Sequence, residues 1–286
     1  MSDWELDYYS RPILDADGKK RWELLICSTP APGEPDPPFQ WSSSCPASSV
    51  NSIWLREALD QAIAAADQQG RAKPRRLRCW RASMRTMVQR AAEGLGIELI
   101  PSRRCYALVS WLQQREREVY PHEEGYLSGP LAPPPEPIRP LARPLPETAR
   151  GDSWAWARLG ASELQQADQW EIDFAGLIPP PADLTSDAPV PGILLFGGDR
   201  ALAIAAWIAG LEPVRLEVCG RQLILEAGLE DRWLLSDLGS EDADQTAAEL
   251  SASRQQVGGL QFLAVQANAS AQRFTGFWML RDLPDS

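Results

Sequence analysis

Asp7, in the run WELDYYSRPIL, and Glu57, in SIWLREALDQ, are the carboxylates of this chain placed best for chemistry. A carboxylate on a first strand, one on a first helix and one at the end of a later strand can hold two divalent cations and hydrolyse a phosphodiester. The residues at that third place are Arg78, Cys79, Trp80 and Arg81. Arginine repels the cation that a carboxylate would bind, so the pattern argues against two-metal hydrolysis. A metal-dependent nuclease would rest on Asp7, Glu57 and a third carboxylate that the sequence does not locate. The same residues suit a second task. Guanidinium and ammonium groups hold phosphates, and flat rings or guanidinium planes stack on unpaired bases. Arg78, Trp80 and Arg81 interleave such groups on one predicted strand, with Arg85 just beyond. Arg103 and Arg104 follow the next strand in the turn PSRR, and Lys19, Lys20 and Arg21 stand at a predicted hairpin tip.

Charge distribution strengthens the second task. The net charge is −11, but residues 1–150 hold 20 Lys and Arg against 19 Asp and Glu, whereas 151–286 hold 8 against 20. Between Arg71 and Arg104 ten basic residues face only Glu93 and Glu98. A basic stretch set in an acidic chain marks either a polyanion partner or a solvated face. Nucleophilic catalysis has little to work with. The single histidine, His122, lies in the loop VYPHEEGY, and the five cysteines form no C-x-x-C pair. No metal-ligand or cofactor motif appears. FGGDR at Phe196–Arg200 lacks the Lys-Ser/Thr of a phosphate loop and is expected to be a tight strand-to-helix turn. No run of about 18 apolar residues and no signal or transit composition is present, so no membrane insertion and a cytoplasmic location with reduced thiols are expected.

These residues must be positioned by the elements around them. WELDYYSRPIL and KRWELLIC read as a hairpin closed by DADGKK, whose Asp-Gly supplies a positive φ. A strand near Phe39–Ser43 follows, then a helix capped by Asn51 or Ser52, with Ile53, Leu55, Leu59 and Ile63 near one face and Gly70 at its end. RRLRCWR (strand), SMRTMVQRAAEGLG (helix), IELIPS (strand) and CYALVSWLQQREREVYP (helix) complete a β-β-β-α-β-α-β-α order, that of the ribonuclease H-like fold. The chain is therefore expected to be α/β (α+β) with two domains: a basic ribonuclease H-like domain over 1–127 and an acidic mixed-sheet α/β domain over 151–286. The proline-rich stretch 128–150 is expected to be an extended connector. The second domain, with three strands, a helix and a strand, echoes the first as a diverged repeat would. In each, tryptophans such as Trp80, Trp111 and Trp207 are either core residues or stacking platforms.

WELDYYSRPILDADGKKRWELLIC, PSRRCYALVSWLQQREREVYP, GGLQFLAVQ and TGFWMLRDLP together closely resemble the Tab/Atab family, translation activators of algal and plant chloroplasts with cyanobacterial homologues. The resemblance runs from Trp4 to Pro284. It implies a non-enzymatic RNA-binding protein that engages the single-stranded 5′ leader of photosystem I reaction-centre mRNA and supports photosystem biogenesis. A motif beginning at residue 4 suggests a cyanobacterial member. The acidic second domain would then dock ribosome-associated or photosystem assembly proteins; in the competing view it makes the protein an assembly scaffold. No cofactor and no catalytic residue is implied.

Overall fold

The computed structural model describes residues 3–31, 37–128, 140–180, 184–185, 187–239 and 243–281. The chain divides into two compact units, one ending at Pro137 and one beginning at Ile138.

The first unit is built from β1 (Asp3–Leu14), β2 (Lys20–Ser28), β3 (Gln40–Cys45), α1 (Ser52–Gln68), β4 (Arg76–Cys79), α2 (Arg85–Glu93), β5 (Glu98–Pro101) and α3 (Tyr106–Glu118). Its one sheet has the order β3-β2-β1-β4-β5. The first three strands form an antiparallel meander, and β4 and β5 run parallel to β1. The hairpin turn forms as its residues dictate: Gly18 takes φ 74°, and the Asp15 carboxylate accepts the amides of Asp17 and Lys19 at 3.0 and 2.9 Å. α1 is capped by the Asn51 side chain, which accepts the amides of Ile53 and Trp54. Ile53 itself faces solvent. The inward stripe runs instead through Leu55, Ala58, Leu59, Ala62 and Ala66, with Ile63 at its margin, because spacings of three and four residues carry it one position past Ile53.

Alternation along β1 sorts the unit into two layers. Trp4, Leu6 and Tyr8 join Leu24 and Ile26 of β2 against α1 and α2, forming the apolar core. Glu5, Asp7 and Arg11 turn to the other face, together with Glu23 of β2. α3 lies over that face: its Leu108 amide bonds Glu5 and its Arg115 bonds Glu23.

The second unit holds β6 (Arg143–Pro144), β7 (Ser153–Gly160), α4 (Ala161–Gln165), β8 (Ile172–Gly176), β9 (Pro189–Phe196), α5 (Ala201–Ala209), β10 (Pro213–Cys219), β11 (Gln222–Ala227), β12 (Asp231–Asp237), α6 (Ala243–Gln256), β13 (Leu260–Gln266) and β14 (Phe274–Arg281). It has two mixed sheets, β10-β11-β12-β6 and β7-β9-β13-β14-β8. Much of the proline-rich stretch, residues 129–139, lies outside the described residues. Beyond it, Arg143 and Pro144 pair with Trp233 and Leu234 of β12. Proline is admitted there because β6 is an edge strand. The meander, helix and strand of the first unit recur in order, but the pairing differs. β4 joins the sheet of its meander, whereas β13 lies in a different sheet from β10, β11 and β12. β6, α4 and β8 are absent from the expected elements, being two to five residues long and too short to show a period.

Candidate nucleic-acid interface

Asp7 is fully buried, and both its oxygens are occupied. Arg11 Nη1 donates to Oδ2 at 2.8 Å, while Trp80 Nε1 and Arg81 Nε donate to Oδ1 at 2.8 and 2.5 Å. Burial by itself would raise this carboxyl group, but the charges of Arg11 and Arg81 and the donated hydrogen bonds hold it below the ordinary range. Arg11 also bonds Glu23 at 3.0 Å, and Glu23 accepts from Arg115 and the Tyr120 hydroxyl, both at 2.5 Å. Glu5, one alternation earlier, is a different case. Burial dominates and pushes it up to about 7, against the Leu108 amide and the Arg78 charge, which pull it down.

This geometry disposes of the pairing that a nuclease would need. Glu57 is exposed on α1, on the core side of the sheet, whereas Asp7 faces α3. The two carboxylates stand on opposite faces, and the oxygens of Asp7 are committed to cations of the protein. Among the described residues, no three His, Cys, Asp or Glu side chains are grouped to hold a metal.

The basic turns do come together. β4 and β5 are parallel, with Cys79 opposite Pro101, and the Ser102 amide bonds the Cys79 carbonyl at 3.1 Å. Residues 80–81 and 102–104 therefore leave the sheet side by side at the carboxyl ends of its strands, where open α/β sheets place their ligand sites. Within the turns the residues divide. Arg78 is buried, with Nη1 3.2 Å from Asp3. Trp80 is buried and spends its N–H on Asp7, so it is a core residue in this structure. Arg104 is buried, with its guanidinium 5.4 Å from the Tyr106 ring centroid, and Arg103 is half-buried. Both carry contacts of their own within the protein. Arg85 is exposed at the first residue of α2.

Arg81 stands between these groups. Its ion pair with Asp7 fixes it, and its guanidinium lies 4.1 Å from the Tyr9 ring centroid and 4.6 Å from that of Trp80. Tyr9, which the sequence reading passes over, is 37 % exposed. It reaches the surface because β4 ends at Cys79, level with Leu6, and the next backbone neighbour on that side of β1 is Tyr126, bridged to Ile13. The doubled Tyr8-Tyr9 was the available signal, since on a strand one ring must face each side. At the hairpin tip Lys19 and Lys20 are exposed, while Arg21 is paired with Glu123 at 2.5 Å. From the level of Cys79 to the tip, β1 runs eight residue steps, Leu6 to Leu14, or about 26 Å.

FGGDR carries no anion cradle. Gly197 and Gly198 donate their amides to the carbonyls of Gln266 and Ala267 at 3.0 and 2.8 Å. Arg200 is held by Asp152 and by the carbonyls of Glu147 and Arg150. The segment is the tight turn into α5 that its glycines suggest, with Gly198 at φ 53°.

Residues 3–115 match the model of the Tab2/Atab2 RNA-binding protein N terminus, and residues 133–281 match that of the Tab2/Atab2 C-terminal domain. The chain belongs to the Tab2/Atab2 family. It is similar to the chloroplastic TAB2 homologue of Zea mays, 36% identical over 99% of this chain and 72% of that protein. The chloroplastic TAB2 homologue of Arabidopsis thaliana is 32% identical over 99% of this chain and 75% of its own length. No solved structure matches. RNA binding thus enters as a property of the family as a whole, and no helix among the described residues is long and apolar enough to cross a membrane.

Proposed function

We propose that this Tab2-like protein is a non-enzymatic RNA-binding factor that holds single-stranded mRNA at the carboxyl end of its first sheet. The observation that carries the reading is the Arg81–Tyr9 pair, with the exposed Arg85 at the start of the following helix. A guanidinium fixed by a buried carboxylate lies 4.1 Å from an exposed ring, and an exposed cation, without a partner among the described residues, opens the next helix. The ring offers a surface for an unpaired base and Arg85 a charge for its phosphate. Lys19 and Lys20 supply a second contact further along the strand. We further propose that the transcript is photosystem I reaction-centre mRNA and that binding promotes its translation. Support for this comes from the likeness of the motifs around Trp4–Cys27 and Pro101–Pro121 to those of the translation activators.

Fluorescence anisotropy of the full chain with a short single-stranded RNA, and with DNA of the same sequence, tests the reading at two salt concentrations. Salt-sensitive binding that prefers RNA is expected. Arg85→Ala lowers the slope of log affinity against log salt by about 0.7, the share of one phosphate on a single strand. An unchanged slope removes Arg85 as a contact, and no binding at low salt overturns the proposal. Arg103 and Arg104, in the turn PSRR, are poorer probes because their contacts within the protein confound the result. The finer claim is tested in a cyanobacterium lacking the gene. Reaction-centre transcripts should persist but leave the polysomes, and unchanged polysome loading refutes it.

A further inference from the structure

Nothing assigns a role to the exposed margin of the second unit's five-stranded sheet. We propose that Trp156 and Arg158 on β7 form a second site for one unpaired nucleotide of a single-stranded RNA, an inference that rests on the RNA-binding reading above. Among the described residues β7 is an edge strand, paired with β9 alone. Trp154 and Trp156 lie opposite Leu195 and Ile193 and so share the face on which α5 packs. α5 contacts β13, β14 and β8, and at the β7 margin Trp156 is left 41 % exposed. An indole so placed forfeits burial that a tryptophan ordinarily obtains. Its orientation is set from below. The half-buried Trp154 ring meets it edge-on, with centroids 5.2 Å apart and an interplanar angle of 84°.

The cation beside it points to the ligand. The second unit has no lysine, and its described arginines other than Arg158 each donate to a carboxylate or a carbonyl of the protein. Arg158 is exposed and makes no such contact among the described residues, although carboxylates outnumber cations in residues 151–286 by 20 to 8. It lies two residues from Trp156 on the same face, about 6.6 Å along the strand. A nucleotide presents a flat ring and an anion at a separation of that order. An acidic peptide would engage the guanidinium but leave the indole without a stacking partner, which is why RNA is favoured over a peptide.

Ultraviolet crosslinking of the full chain to a short oligouridylate, with titrations of single variants, tests the site. The crosslink is expected in the peptide containing Trp156. Trp156→Ala should weaken binding by roughly fivefold or more, the lower end for one stacked base, and Trp156→Phe by less. Both change an exposed side chain, and an unaltered thermal melt checks that the fold is kept. Arg158→Ala should lower the salt slope by about 0.7, and Arg158→Lys should restore it, since the phosphate needs only the charge. If the wild-type chain binds RNA with crosslinks confined to residues 3–128 and Trp156→Ala binds equally well, this site falls while the RNA-binding reading stands. If the wild-type chain binds no RNA at low salt, both fall. Trp156-dependent capture of an acidic peptide without RNA binding overturns the site in favour of a peptide-docking surface.

Discussion

Replacing Glu5 by glutamine should stabilise the protein above neutral pH and do little for it in acid. Glu5 is 1 % exposed and titrates near 7, where an ordinary glutamate titrates near 4.5, because burial penalises its charge more than Arg78 and the Leu108 amide compensate. A group whose folded pKa is raised contributes stability in full below the unfolded value. That contribution fades as pH rises through the folded value. The difference of 2.5, at 1.36 kcal/mol each, amounts to about 3 kcal/mol between pH 4.5 and pH 8. Glutamine has the same shape, can accept the Leu108 amide through its carbonyl oxygen, and has no charge to lose. Urea unfolding of both proteins at pH 5 and pH 8 reads the effect as the difference between them, which removes every other titrating group. The stability of Glu5→Gln relative to wild type should rise by about 2–3 kcal/mol from pH 5 to pH 8. Exchange of the Leu108 amide, whose hydrogen bond to Glu5 measures 2.9 Å, gives a local readout of the same change. A pH-independent difference would refute the reasoning and mean that water or a rearranged Arg78 already solvates the ionised carboxylate.

Asp7→Asn should cost about 3–5 kcal/mol at neutral pH, since it leaves the buried Arg11 and the fixed Arg81 short of a counter-charge. Asp7 titrates below the ordinary 3.8, so the penalty should be present above that pH and shrink as pH falls through the folded value; a loss under 1 kcal/mol in urea unfolding would show that the network is not coupled. Gly192→Ala should destabilise the second unit by about 1–3 kcal/mol, because the new methyl group would sit 2.5 Å from the Phe262 ring on the paired strand. Gly220→Ala, at an open turn with φ 55°, should cost only about 1 kcal/mol, and equal melting temperatures for the two would contradict the crowding.

Most elements of the first unit were legible from residue pattern alone. The Asp-Gly turn, the Asn51 cap, and the glycines after α1 and α2 are local chemistry, decided within a few residues of chain. Asp7 and Arg11, an even number of residues apart on one strand, turn to the same side and form an ion pair. The short β6, α4 and β8 were not legible: all three are too short to show a period, and β6 and β8 form against partner strands far away in sequence. The site divides in the same way. Sequence placed Arg81 on one predicted strand and Arg103 in the turn after the next, but could not say which cations remain free. That was settled by what lay across the sheet: Asp3 drew in Arg78, Asp7 took the Trp80 N–H, and Glu123 took Arg21. Residue type fixes what a side chain can bond. Whether the bond is already made inside the protein, or left over as proposed for Arg85 and Arg158, depends on long-range pairing and burial, and only the tertiary structure decides those.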